Sequence, residues 1–194
     1  VEATIPSNVW SSQHFQNWYS LLKEAGNILQ SFHVVSVYPE MPGPLFFFMA
    51  KVSVYVSSED RYKSNEVILG RPDISSIIPY YIDEYGEKHI LLVKEFRSPV
   101  VNHKGYVYEF PGGSAGSHEY ISAIKNACKE LEEEAGLCIS EERVEYIGVR
   151  QLASTFSIHQ SYLYKVRMTS EEYLLMTQYS ESQKVFEDDW GCER

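Results

Sequence analysis

The sequence predicts an α+β protein, and the order of its strand-like and helix-like segments carries this prediction. Runs rich in β-branched and aromatic residues alternate between apolar and polar positions, which is typical of half-buried strands. After residue 74 one long helical pattern lies between these runs, and a second follows near the end of the chain. Strands that surround one central helix do not form the regular strand–helix repeat of a doubly wound parallel sheet.

The N-terminal residues 1–60 are expected to form an arm of helix and strand, ahead of a main domain that spans residues 61–194. Apolar residues recur at helical spacing between Ser11 and Gln30, so we expect one helix there. The cluster of Pro and Gly at 39–44 ends this helical part of the arm.

The remaining elements follow from alternation, from Gly-containing turns and from capping residues. We expect strands at 46–56, 74–82, 88–96, 106–110, 144–152 and 160–168, a polar loop at 57–65, and helices at 122–135 and 170–179.

The central helix concentrates acidic residues on one face. At about 100° per residue, Glu130, Glu133 and Glu134 lie side by side. Exposed carboxylates at this spacing repel one another by ~0.2–0.5 kcal/mol per pair, and a hard divalent cation such as Mg²⁺ or Mn²⁺ relieves that repulsion. The plainer alternative is a solvated helix face, because Glu is a strong helix former. An apolar stripe occupies the opposite side and is formed by Ile124, Ala127, Cys128, Leu131 and Ala135.

The residues around this helix resemble the Nudix box, the signature of hydrolases that cleave nucleoside diphosphates linked to another moiety. The family pattern is Gly, five residues, Glu, seven residues, then Arg-Glu-apolar-x-Glu-Glu-x-Gly-apolar. The chain has Gly113, Glu119 after five further residues, and the run KELEEEAGL from Lys129 to Leu137. The run departs from the family only at Lys129, where the family has Arg.

The spacing also departs from the family pattern, because nine residues rather than seven separate Glu119 from Lys129. We place the two extra residues at Tyr120 and Ile121, in the loop before a helix that Ser122 caps. A longer loop moves Glu119 by several Å, since an extended residue spans about 3.3 Å. Lys129 supplies the charge of the family Arg but not its planar, bidentate fork.

The resemblance implies a Nudix-type α/β/α sandwich with a mixed sheet, together with the N-terminal helix and strand arm. It also implies a Mg²⁺- or Mn²⁺-dependent pyrophosphohydrolase. Glu119, Glu130 and Glu134 are then expected to bind the metal, and Glu133 and Glu134 to act as catalytic carboxylates.

The segment from His89 to Gly113 is similar to the ADP-ribose and nucleoside-diphosphate-sugar pyrophosphatase branch. The residues that carry the similarity are the Phe-Arg pair ending at Arg97 and the run EFPGG that begins at Glu109. The resemblance implies that Arg97, Glu109 and Gly113 bind substrate and that the Gly112 carbonyl binds metal. Guanidinium suits diphosphate oxygens, and glycine permits close backbone approach. The alternative is a structural ion pair between Arg97 and Glu109.

Composition limits the partners and the compartment. A net charge of −10 disfavours broad binding to nucleic acid or to an anionic membrane, although an RNA cap remains among the candidate substrates. No run approaches the roughly 18 apolar residues of a membrane span. Three cysteines without CxxC spacing are typical of a reducing intracellular compartment, the cytoplasm by default. An organelle matrix stays open because the chain begins at Val1 rather than Met.

The sequence does not identify the general base. The related branch often supplies a downstream Glu, but residues 154–160 contain no acid and only His159 titrates there. Glu171, Glu172 and Glu181 are further candidates without a geometric argument.

Two other classes of function therefore remain. A Nudix domain that binds nucleotide or RNA without turnover is one. A subunit of a larger assembly is the other, with the arm forming a homodimer or docking to a protein through Trp10, Phe15 and Trp18.

Overall fold

A computed structural model of the protein describes residues 2–38, 45–114 and 122–183. These residues form helices and a mixed sheet, which confirms the α+β class. Glu119 and the insertion at Tyr120 and Ile121 lie outside the described residues. The elements are α1 (Ser7–Trp10), α2 (Gln13–Glu24), β1 (Ile28–Tyr38), β2 (Phe47–Val56), β3 (Arg61–Gly70), β4 (Ile74–Ile82), β5 (Lys88–Ile90), β6 (Val93–Phe96), β7 (Tyr106–Glu109), β8 (Gly112–Ser114), α3 (Ala123–Ala135), β9 (Glu145–Gln151), β10 (Gln160–Arg167) and α4 (Ser170–Gln183).

Three sheets organise the strands. β1, β2 and β3 form an antiparallel sheet in that order, and β6 pairs with β7 as a two-stranded antiparallel ribbon. The five-stranded sheet has the order β5-β4-β10-β9, with β8 also paired to β4. β5 runs antiparallel to β4. β10 runs parallel to β4, because Gln160 N–H bonds the Asp73 carboxylate at one end and Met168 N–H bonds the Tyr80 carbonyl at the other.

The chain divides into two compact units, each built from several segments. The first comprises Val1–Ser75, Ser114–Ala123 and Val149–Tyr162, and the second comprises Ser76–Gly113, Ile124–Gly148 and Leu163–Arg194.

The core of the first unit is aromatic. Phe15 of α2 is fully buried, and its ring contacts Phe32 and Phe48 at centroid distances of 5.4 and 6.0 Å. Trp10 and Trp18 pack partly buried against the same core. Phe15 therefore holds the helix on the sheet and is not available as a surface anchor for a protein partner.

The buried apolar side chains of the second unit come from its sheet, from α3 and the residues after it, and from α4 and the residues just before it. Ile77 of β4, Leu131 of α3 and Val166 of β10 are almost completely inaccessible to solvent. Ala127 and Ala135 are buried as well, so the apolar stripe predicted for the central helix is the face that packs inward.

The arm differs from the prediction at two places. The helix expected to reach Gln30 ends at Glu24, because Gly26 adopts a φ of +76° that favours glycine, and β1 begins at Ile28. The prediction of a polar loop at 57–65 is wrong, since β3 starts at Arg61 and pairs with β2 along its length. Strands and helices predicted elsewhere are present, with the run at 88–96 split into β5 and β6.

Replacing Phe15 by Ala should lower the free energy of unfolding by about 3–5 kcal/mol, because it leaves a cavity in the aromatic core while alanine keeps the helix propensity. Urea unfolding measures the change. Leu21→Ala in the same helix is the matched control, since Leu21 is 60% exposed and should change stability by less than about 0.5 kcal/mol. Equal losses for both variants would contradict this account of the core.

Candidate functional site

The site forms where the turn after β7 meets the acidic face of α3. The Gly112 N–H, at the start of β8, donates a hydrogen bond to Oε2 of Glu134 at 3.0 Å. Asn126 of α3 donates from Nδ2 to the Gly113 carbonyl at 2.9 Å. These two bonds fix the backbone of the Gly-Gly pair against the helix.

Gly113 is required by this close approach. A Cβ placed on Gly113 would lie 2.6 Å from Oε2 and 2.7 Å from Oε1 of Glu130, well inside van der Waals contact. The missing side chain therefore leaves the space that the Glu130 carboxylate occupies. Sequence reasoning assigned Gly113 to substrate binding, and the structure shows that the group nearest to a Cβ at this position is this carboxylate.

The two carboxylates nearest the Gly-Gly pair are crowded. Burial raises the pKa of Glu130, the charge of Glu133 adds to the rise, and Lys129 opposes it. Burial also raises the pKa of Glu134, and the charges of Glu130 and Glu95 add to the rise. The hydrogen bond from the Gly112 N–H opposes it. Glu134 is exposed as a whole residue, so this effect concerns its carboxylate end, which lies against the turn.

Arg97 lies between acidic neighbours at the end of β6. Its Nε and Nη2 atoms donate to Oε2 of Glu109 at 3.1 and 2.8 Å, and Nη2 also pairs with Glu95. Arg97 also interacts electrostatically with Glu134, which brings it into the same cluster. The structural ion pair considered for Arg97 and Glu109 is therefore present. Nη1 of Arg97 forms no hydrogen bond with the part of the chain that the structure describes.

Lys129 contacts a carboxylate of the acidic helix face. Its Nζ lies 3.4 Å from Oε1 of Glu133, one helical turn away, and both side chains are more than half exposed. The lysine thus makes a single contact where an arginine could offer two parallel donors. Glu133 turns toward this partner.

The structure brings Glu130, Glu134, Gly112 and Gly113 together and links Arg97 with Glu109 beside them. Among the described residues, it does not gather three carboxylates into one tight group there. Within the described ranges, the one set of three potential ligands whose atoms all lie within 4.8 Å of each other is Asp83, Glu87 and His89.

Hydrogen bonds within a turn explain why Asp83, Glu87 and His89 lie together. Asp83 accepts N–H bonds from Tyr85 and Glu87 at 2.9 Å each, and His89 Nε2 lies 3.1 Å from its other oxygen. The bond with His89, with smaller help from the backbone, lowers the pKa of Asp83. These bonds close the turn between β4 and β5, which explains why the three side chains meet.

Two candidates for the general base have structural partners. Hydrogen bonds from Arg143 lower the pKa of Glu172 to about 2, and Glu172 also accepts the Thr169 N–H at the start of α4. His159 Nδ1 bonds the hydroxyl of Ser157, and burial lowers the pKa of its imidazole, with the charge of Arg71 contributing. Both groups have structural roles, and Glu172 remains ionised at neutral pH.

Sequence reasoning missed two members of the cluster, Asn126 and Glu95. Asn126 is a buried amide on the otherwise apolar face of α3, and this break in the stripe is the signal that could have found it. Glu95 lies in β6 two residues before Arg97, and its carboxylate pairs with Nη2 of Arg97. The glutamate therefore adds a carboxylate to the site.

Comparisons with known proteins find neither a matching family model nor a matching curated protein. Among solved structures, the chain is similar to one titled "Crystal structure of ADP compounds hydrolase". The TM-score is 0.44 at 14% sequence identity, covering 82% of this chain and 98% of that chain.

The described residues contain no helix that is long and apolar enough to cross a membrane.

Glu134→Gln should raise the melting temperature of the metal-free protein at pH 7, and the gain should disappear below about pH 4. A carboxyl whose folded pKa is raised binds protons more tightly in the folded state. Its charge therefore lowers stability at pH values above the pKa of the unfolded chain and has no effect well below it. Glutamine removes the charge and keeps an acceptor for Gly112. Thermal unfolding in EDTA at both pH values measures the change. Glu132→Gln, on an exposed position of α3, is the control, and an equal gain for it would contradict the prediction.

Proposed function

We propose that the protein is a Nudix-type hydrolase that uses Mg²⁺ or Mn²⁺ to cleave the diphosphate bond of a nucleoside diphosphate linked to another moiety, such as ADP-ribose. The observation that carries this proposal is the crowding of Glu130 and Glu134 against the backbone of Gly112 and Gly113. This arrangement raises the pKa of both carboxylates, by burial first and by neighbouring carboxylate charge second.

The donors at this site fit a hard divalent cation. Glu130 and Glu134 supply carboxylate oxygens, and the Gly112 carbonyl is a further oxygen on the adjoining turn. Magnesium is commonly held by one or two carboxylates together with water and substrate phosphates, so a complete cage of protein ligands is not required. When bound, such an ion neutralises phosphate charge and lowers the pKa of a coordinated water.

Residues of the chain would bind the substrate and accept the proton of the attacking water. Arg97 is held in place by Glu109 and Glu95, and its Nη1 can donate to a diphosphate oxygen. Glu134 or Glu133 can accept the proton of the attacking water, because both lie on the acidic face of α3. Their position compensates for the missing acid in residues 154–160.

A second candidate function is binding of a nucleotide or RNA without turnover. The specific observation that favours it is the contact of Lys129 with Glu133, since this single exposed pair holds the carboxylate weakly. A homodimer or a protein complex formed through the N-terminal arm remains a further proposal.

Substrate turnover tests the first proposal. The protein is incubated with Mg²⁺ or Mn²⁺ and ADP-ribose, NAD, UDP-sugars, diadenosine polyphosphates or capped RNA, and released phosphate products are measured. Glu134→Gln should reduce turnover roughly 10²–10⁴-fold, the range expected when a proton-transfer or metal-binding carboxylate is removed. Glu132→Gln should leave it nearly unchanged.

The possible results separate the functions. Turnover that survives Glu134→Gln would show that another site is responsible. No turnover with any substrate, together with thermal stabilisation by nucleotide, would replace the hydrolase by the binding domain. No turnover and no stabilisation would reject both.

Lys129→Arg should increase turnover by up to about fivefold. An exposed ion pair is worth ~0.2–1 kcal/mol, and 1.36 kcal/mol corresponds to a tenfold change in rate. The planar fork of arginine can hold Glu133 through two donors. Steady-state kinetics give the change in kcat, and Lys125→Arg, an earlier exposed position on α3, controls for the added guanidinium. A lower kcat for Lys129→Arg would show that holding Glu133 more tightly does not assist the reaction.

A further inference from the structure

A cavity of about 690 Å³ lies within the first compact unit. Its walls are α2, strands β2 and β3, and the segment at 151–162. This volume falls within the roughly 300–1,000 Å³ of sites that hold small molecules. The carboxylates of the proposed hydrolase site belong to the other unit, so the cavity needs a separate explanation.

Much of the wall is apolar and aromatic. Val52 and Val54 of β2 are almost fully buried side chains that line it. Trp18 of α2 and Phe156 add large aromatic surfaces, and the Phe156 side chain is 40% exposed. A surface of this kind favours an apolar, planar ligand over a hydrated one.

Asp73 places a carboxylate in this apolar surrounding. Its Oδ1 accepts the Gln160 N–H at 2.8 Å, and a carboxylate offers about four acceptor sites, so this bond leaves acceptor capacity for a ligand. Burial raises the pKa of Asp73, and the bond from Gln160 only partly opposes this effect. A carboxylate that is partly removed from water and keeps a free acceptor is suited to a ligand that carries an N–H group.

The charges around the cavity disfavour an anionic ligand. Among the described residues that line it, Lys63 is the one Lys or Arg side chain, and it pairs with Glu66 at 2.5 Å. Burial lowers the pKa of His14 to about 4, so this ring is neutral at pH 7. Asp73 therefore faces no unpaired cation, and its charge favours a neutral or positive ligand.

The segment that bears Phe156 is held in a defined conformation. The Leu69 backbone of β3 bonds Phe156 O at 2.8 Å and Ile158 N at 3.0 Å. Gln151 donates to Ser157 O at 2.7 Å. Ala153 has a φ of +45°, which is unfavourable for a residue with a Cβ, and its carbonyl accepts the Phe156 and Ser157 N–H groups at 2.8 Å each. Such a strained, hydrogen-bonded turn is a feature of ligand-binding loops.

We propose that this cavity binds a small aromatic molecule, neutral or cationic, that inserts its ring beside Trp18 and Phe156 and donates an amide or amidine N–H to Asp73. This binding is a further activity and does not depend on the proposed hydrolysis.

Three probes of the same ring and different charge test the proposal on the full chain. They are 2-naphthamidine, 2-naphthamide and 2-naphthoate, with charges of about +1, 0 and −1 at pH 7. Saturation-transfer NMR titrations give each Kd. The amidine and the amide should bind at least about tenfold more tightly than the carboxylate, the factor that corresponds to 1.4 kcal/mol. Weak or equal binding of all three would overturn the proposal.

Two substitutions test whether the probes bind in the cavity. Because the charge of Asp73 attracts a cation, the amidine should also bind more tightly than the amide. Asp73→Asn keeps an acceptor for Gln160 and should remove this advantage, while the amide still binds. Thr155→Lys introduces a cation at an exposed lining position and should shift the preference toward the carboxylate. Glu84→Gln, in the turn after β4, is the control and should change nothing. Unchanged selectivity in both cavity variants, with unfolding curves like the parent, would refute binding at this place.

Discussion

The close packing of α3 against the backbone of Gly112 and Gly113 is the contact on which the rest of the candidate site depends. Asn126 donates to one carbonyl of this pair and Glu134 accepts one of its N–H groups, so two helix side chains hold the backbone of the pair. The Glu130 carboxylate then occupies the volume that a side chain at 113 would need. Any residue larger than glycine there would move a carboxylate away from its position, because well-packed interiors leave little free volume.

That contact also sets an energetic conflict. Carboxylates prefer water, and bringing Glu130 and Glu134 against the turn raises their pKa values by burial before their mutual repulsion is counted. In the absence of a counter-charge, the folded state is destabilised at neutral pH relative to one with neutral side chains. A structure that only needed helix stability could have used glutamine or alanine at both positions. A divalent cation would offset this repulsion, and the proposed hydrolase function assigns it that role.

The sequence predicts the central helix and its buried stripe, because these depend on local periodicity. The Gly-Gly pair, expected as a turn, begins strand β8 instead. The sequence also does not predict β1 or β3. Two register shifts interrupt the alternation of β1, and the first half of β3 is polar and exposed, so both lack the period-2 pattern that marks a strand. Glu95 and Asn126 join the site through tertiary packing, and no local motif marks them. Pairing between distant segments decides these features, and a single sequence does not record it.

The charge of the cluster determines how a diphosphate could enter. Glu95, Glu109 and Glu134 interact electrostatically with the guanidinium of Arg97, and Glu130 interacts with Glu134, so these couplings connect all five groups. A negatively charged phosphate approaching this cluster alone would be repelled, since carboxylates outnumber the cation. Arg97 cannot overcome this, because two of its donors already bind Glu109. Under the proposed hydrolase function, the substrate would therefore arrive with, or after, a divalent ion that reverses the local charge, and Nη1 of Arg97 would then orient the phosphate rather than provide the main attraction.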